Sequence, residues 1–109
     1  MANIYRNAKV DFTNTDNTTV YTSPSNSRAI LKSILVSDDS GSGDSINVTL
    51  TDASAAVFSL FKTKAIASNA TTELITQPIV LEESEILKAQ ATTAGRLHVV
   101  ISLLEINRD

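Results

Sequence analysis

The sequence predicts an all-β fold, a single-domain β-sandwich or jelly roll, and three observations lead to it. Serine and threonine make up 26 of the 109 residues, and Val, Ile and Thr recur along the whole chain, the composition of half-exposed pleated strands. Apolar and polar residues alternate with a period of two in several stretches. Turn-forming clusters interrupt those stretches roughly every 8 to 15 residues, the rhythm of a sandwich.

The opening segment places Ile4, Ala8, Val10 and Phe12 on one side and Tyr5, Asn7, Lys9 and Asp11 on the other, with Arg6 interrupting the apolar side. It reads as a strand or an extended arm, so residues 1–17 are separated from a sandwich domain at 18–109. Turns follow at Asn14-Thr15-Asp16-Asn17 and Ser23-Pro24-Ser25-Asn26. The stretch from Ala29 to Val36 carries apolar residues on both faces, as a strand does when something covers it from each side, and another subunit is one candidate for a cover. The clearest alternation runs from Ser45 to Thr51, where Ile46, Val48 and Leu50 face one way and Asn47, Thr49 and Thr51 the other.

From Asp52 to Ala65 two patterns compete. Asp52 could cap a helix with Val57, Leu60, Phe61 and Ala65 at helical spacing, whereas Val57, Phe58, Ser59 and Thr63 suit a strand. The all-β surroundings favour the strand. Further turns fall at Asn69-Ala70, Glu82-Glu83-Ser84 and Thr92-Thr93-Ala94-Gly95, and the segment from Leu97 to Ile106 is again apolar on both faces.

Composition narrows the function. At 42% apolar and 19% charged residues the chain can build a core and is not of disordered type. The longest apolar run, near Val99 to Leu104, is broken by Ser102 and too short to span a bilayer, so no membrane partner is expected. With no cysteine, disulfides and thiolate metal sites are excluded. A net charge of −3 with nine scattered Lys and Arg argues against a nucleic-acid surface. The N-terminus lacks the basic and apolar regions of a secretory signal, which predicts a product that stays in the cytosol until assembled into something that leaves.

The constellations that could carry chemistry are weak. The loop from Asp38 to Asp44 offers three carboxylates and two glycines to a cation, without the ligand order of an EF-hand, and reads as a flexible hairpin loop. His98 is the single histidine and has no nucleophile elbow or second imidazole with it. Glu82, Glu83 and Glu85 read as a solvated turn. Triplets for N-glycosylation at Asn17, Asn47 and Asn69 are those a Thr-rich chain produces by chance. The five aromatic residues are too few for a stacking surface. No enzyme activity, no cofactor and no metal are therefore expected.

A chain without a reaction centre but with exposed strand edges points to assembly with other subunits. Candidate subunit contacts are Ile4, Tyr5, Val10, Phe12 and Tyr21, the tyrosines because they offer contact area with a polar end.

The segments Val20 to Pro24, Ala29 to Val36, Ile46 to Leu50, Pro78 to Glu82, Ile86 to Ala91 and Leu97 to Ile106 together resemble small virion structural proteins of tailed bacteriophages, particularly marine and cyanobacterial ones. The likeness covers Thr18 to Ile106, rests on the order of short β motifs, and leaves the first dozen residues outside. The resemblance implies a sandwich or jelly-roll subunit located in the virion, assembled in the host cytoplasm and present in many copies. It would be a capsid decoration, or cement, protein, with a neck, tail-completion or tail-fibre component as the alternative. A host-surface carbohydrate-binding module is the alternative from another class. Implied partners are further copies of the chain, a trimer being one form of that homo-oligomer, and the major capsid or other virion proteins. In this picture Ala2 to Phe12 lends its edge to a neighbour by strand addition.

Overall fold

The computed structural model describes residues 2–108. Nine strands follow in chain order: β1 (Ala2–Asp11), β2 (Thr18–Thr22), β3 (Ser27–Asp38), β4 (Asp44–Thr51), β5 (Val57–Ile66), β6 (Thr71–Glu73), β7 (Ile79–Leu81), β8 (Ile86–Ala91) and β9 (Leu97–Asn107). They form two antiparallel sheets. Sheet A runs β1-β9-β3-β6, with β7 also on β3, and sheet B runs β2-β8-β4-β5. Because β6 and β7 lie on β3 at different heights, they act as two halves of one interrupted edge strand. Counted so, the chain passes between the sheets at every connection except the β4–β5 hairpin, which is the winding of a jelly roll.

Alternation decides which face of each strand is buried. On β9, Leu97, Val99, Ile101 and Leu103 point inward, and on β3 the inward set is Ala29, Leu31, Ile34 and Val36. Those two rows belong to the longest pairing in the fold, from Ser27↔Asn107 to Asp38↔Leu97. The parity of β3 changes at a bulge between Leu31 and Ser33, which adds Lys32 to the outer side. Glu73 fills the break this creates: it accepts the Ile34 N–H at 2.8 Å and bonds the Ser33 hydroxyl. Beyond it Leu74 and Ile75 turn into the core, and the Leu74 N–H donates to the Ile34 carbonyl at 2.9 Å. Sheet B contributes Ile46, Val48, Leu87, Ala89 and Ala91 to the same core.

The segment from Asp52 to Ala65 holds no helix: Asp52 caps a tight turn, accepting the Ser54 and Ala56 N–H groups, and the strand β5 follows. Two register shifts break its pairing with β4, and Thr63 lies at a φ of 54°, a left-handed conformation unusual for a β-branched residue. The Asn47 side chain holds that turn of backbone by accepting the Thr63 N–H at 2.6 Å.

Candidate interaction surface

The N-terminal segment, expected as a strand or an extended arm, is the edge strand of sheet A. It pairs with β9 of its own chain without a break from Ala2↔Asn107 to Asp11↔His98. This placement separates the five candidate contact residues. Phe12 is 1% exposed and is a core residue, not a contact for a neighbour. Ile4 and Val10 are half-buried on the inward side. Tyr21 is half-buried too, and its hydroxyl donates to Glu105 at 2.6 Å. Tyr5 alone stands free, at 77% exposure on the outer face.

Arg6, the residue that interrupted the apolar side of β1, has a partner inside. Its Nε lies 3.3 Å from Glu105, which ends the inward row of β9 and is 5% exposed. Glu105 thus receives a hydroxyl from sheet B and a guanidinium from β1. Burial, then the hydrogen bond and charge of Glu105, push the Tyr21 phenol well above its ordinary range, while Arg6 opposes the shift. A carboxylate stripped of such partners in a buried place costs several kcal/mol, on the order of 3–5, whereas an exposed ion pair contributes about 1 or less. On that comparison the Glu105 cluster matters to the fold, and the surface pair Arg108–Glu83, at 2.7 Å, matters little.

The remaining carboxylates are each committed separately. Asp38 is buried at the end of β3 and accepts the N–H and the hydroxyl of Ser40, at 2.7 and 2.6 Å; these bonds, with Gly43 and Arg96 near, hold it below the usual carboxylate range. Asp44 accepts the Thr93 N–H, and Asp39 lies 3.7 Å from His98. The Asp38–Asp44 loop, expected as a hairpin, instead crosses from β3 of sheet A to β4 of sheet B, because those strands pair with other partners, and its own hydrogen bonds brace it. His98 is half-exposed, with Nε2 3.1 Å from Asp11. Glu83 is held below its ordinary range by Arg108, Glu82 faces Arg28 at 3.8 Å, and Glu85 accepts the Glu82 N–H, so two of the three acids of this turn face an arginine and the third closes the turn. Among the described residues no group of three His, Cys, Asp or Glu is placed to hold a metal ion.

Exposed apolar residues lie at the start of β5 in sheet B, where Val57 and Phe58 stand in water, and in a larger group on the outer face of sheet A. Cross-strand register puts Tyr5, Leu104, Ile30 and Val80 in one row across four strands. Val100 and Leu35 form a second row, with Lys9 and Glu73 at its ends. Tyr5, Val80, Leu35 and Val100 are exposed, and Ile30 and Leu104 are half-exposed. Ile30, Leu35, Val100 and Leu104 are outward residues of the two segments that looked apolar on both faces, β3 and β9, and Tyr5 of β1 and Val80 of β7 extend the rows on either side. A shallow depression bordered by Tyr5, Asn7, Lys32 and Ser102 adjoins the rows. Scattered exposed aliphatics need no explanation, but adjacent rows over a flat sheet are the form of a contact surface.

Chains from a pilus and a phage capsid share this fold. One comes from the structure of Bacillus endospore appendages, described as disulfide-linked pili, and aligns at a TM-score of 0.57 and 10% identity over 98% of this chain and 89% of that one. Another comes from the acid-stable capsid of Helicobacter pylori bacteriophage KHP30, at a TM-score of 0.54 and 11% identity over 99% of this chain and 95% of that one. At such identities the likeness is one of fold. No family model matches the sequence, and no curated protein does.

Proposed function

We propose that this chain is a non-enzymatic structural subunit of a bacteriophage particle, a decoration protein that seats the outer face of sheet A on the shell. The observation that carries the reading is the pair of apolar rows on β3 and β9, which the chain's own fold leaves in water. A fold shared with capsid and pilus chains supports an assembly role. The absence of cysteine from the sequence separates it from assembly by disulfide linkage and favours contacts made by burial and backbone pairing. Single weak contacts suffice in a symmetric particle, because repetition multiplies them. The carbohydrate-binding alternative is not favoured, since Tyr5 is the one aromatic residue exposed on this face.

The test is proteomic and structural. Purified particles should contain the chain in stoichiometric amounts, and its density should lie on the capsid with sheet A toward the shell. Leu35→Lys with Val80→Lys should remove it from particles while its circular dichroism and melting curve stay unchanged. Particles free of the chain would sink the reading, and a sixfold or twelvefold ring would move it to the neck or tail.

A further inference from the structure

The four borders of the two sheets are not alike. In sheet B, β5 carries two register shifts, a left-handed Thr63 and the exposed Lys62 and Lys64, while β2 is five residues long with a shift of its own. In sheet A, the far border is split into β6 and β7 at three residues each. Bulges, lysines and short strands are the means by which sheets refuse further pairing. The strand β1 has none of the irregularity: it spans ten residues in unbroken register, and among the described residues nothing pairs with its outer side.

Hydrogen-bond parity fixes what that border offers. The Phe12 N–H donates to the Leu97 carbonyl, and the Phe12 carbonyl accepts from Gly95, so Phe12 turns both backbone groups toward the β9 side. In unbroken antiparallel register Val10, Ala8, Arg6 and Ile4 do the same. Asn3, Tyr5, Asn7 and Lys9 then direct their N–H and C=O groups outward, and all four are exposed. We infer that this border binds the same border of a second copy, β1 against β1 in antiparallel fashion about a twofold axis through Asn7.

The register follows from side chains. Centring on Asn7 pairs Tyr5 with Lys9 of the second copy and Asn3 with its Asp11, twice over by symmetry, and uses nearly the whole strand. A lysine ammonium over a tyrosine ring is attractive, and the pairing covers the most exposed aromatic side chain of the molecule. Centring on Lys9 or Arg6 sets like charges face to face, and centring on Tyr5 shortens the ladder. The twofold pairing joins the two sheets A into one and runs the Tyr5–Val80 row of each copy into the Lys9–Glu73 row of the other. It is independent of the proposed phage role, because any assembly could use such a dimer.

A chain without cysteine makes the test direct. Across a hydrogen-bonded antiparallel pair the Cα atoms are about 5.5 Å apart, within the range a disulfide spans. Asn7→Cys should therefore oxidise to a covalent dimer. Asn3→Cys should not, because its symmetry mate lies about 27 Å away along the strand. The unmodified chain should sediment as a dimer. Asn7→Pro should sediment as a monomer with its strand content kept, because the lost N–H points away from its own sheet. A wild-type monomer at every concentration, equal cross-linking at Asn3 and Asn7, or a dimer surviving Asn7→Pro would each overturn the proposal. Should Asn7→Pro fail to fold, the cysteine pair still decides. A wild-type monomer that is nevertheless present in particles refutes this pairing alone, and a wild-type dimer absent from particles refutes the phage reading alone.

Discussion

Replacing Tyr21 by Phe removes a single oxygen and keeps the ring in place, so it isolates the 2.6 Å bond from Tyr21 to Glu105. A hydrogen bond to a charged group contributes about 1.5–3 kcal/mol, and Glu105, at 5% exposure, has little water to replace it. Arg6 still holds the carboxylate from 3.3 Å, which keeps the expected loss near the middle of that range, about 2 kcal/mol. For a domain of this size that corresponds to a melting temperature lower by roughly 10 °C. In a Glu105→Gln background the acceptor is neutral, and the same truncation should cost only about 1 kcal/mol, so a double-mutant cycle should return a coupling of about 1 kcal/mol. Urea titrations at neutral pH measure all four corners of the cycle, with an unchanged m-value as the control. The alkaline limb gives a second reading. The Tyr21 phenol is raised in the folded state, so its contribution is complete below the ordinary tyrosine pKa of about 10 and is lost as pH climbs from there toward the folded value. The slope is at most about 1.4 kcal/mol per pH unit, and less here because solvent screens a half-exposed ring. Tyr21→Phe should flatten that limb. A loss below about 0.5 kcal/mol together with an unaltered alkaline limb would refute the clasp as described.

Ile101→Ala, at a fully buried position of β9, should cost about 3 kcal/mol in urea titration, while Val100→Ala next to it on the outer face should cost well under about 1. Gly43→Ala should destabilise more than Gly95→Ala: both residues have positive φ, but a Cβ at Gly43 meets the Ile66 carbonyl at 3.3 Å and one at Gly95 meets nothing within 4 Å. Thermal melts giving equal losses would contradict the close approach. Asp38 is depressed in the folded state, so its contribution is present above the ordinary aspartate pKa of about 3.9 and lost as pH falls through the lower folded value. Asp38→Asn should flatten the acid limb of stability without abolishing it, since Glu83 is depressed as well.

The parts of the fold legible in the sequence were those where a strand keeps strict parity. Ile46, Val48 and Leu50 on β4 needed only a count by twos, whereas β9 showed itself as a strand without showing which of its two apolar faces is inward. β5 was ambiguous for a physical reason: its register shifts displace Leu60 and Phe61 from alternation and bring them onto a spacing that imitates a helix. β6 and β7 were invisible, because three residues carry no period. Arg6 looked like an error in the β1 pattern, and Glu105 on the adjacent strand β9 explains it. Continuing the inward row of β9 past Leu103 would have found Glu105, since the next inward position is that acid. For the candidate surface the double-faced apolar character of β3 and β9 was the useful signal. Aromatic character was not, because Phe12 and Tyr21 serve the interior.

The inward rows of β3 and β9 each finish on an acid, Asp38 and Glu105, at opposite ends of the sandwich. A slip of two residues preserves facing and would pass unnoticed in a strand of uniform aliphatics. Here, sliding either strand toward its neighbour's middle drags a carboxylate beneath the opposite sheet, and in the case of Glu105 away from Tyr21 and Arg6 as well. The two terminal acids thus penalise a misaligned pairing that uniform aliphatic rows would tolerate.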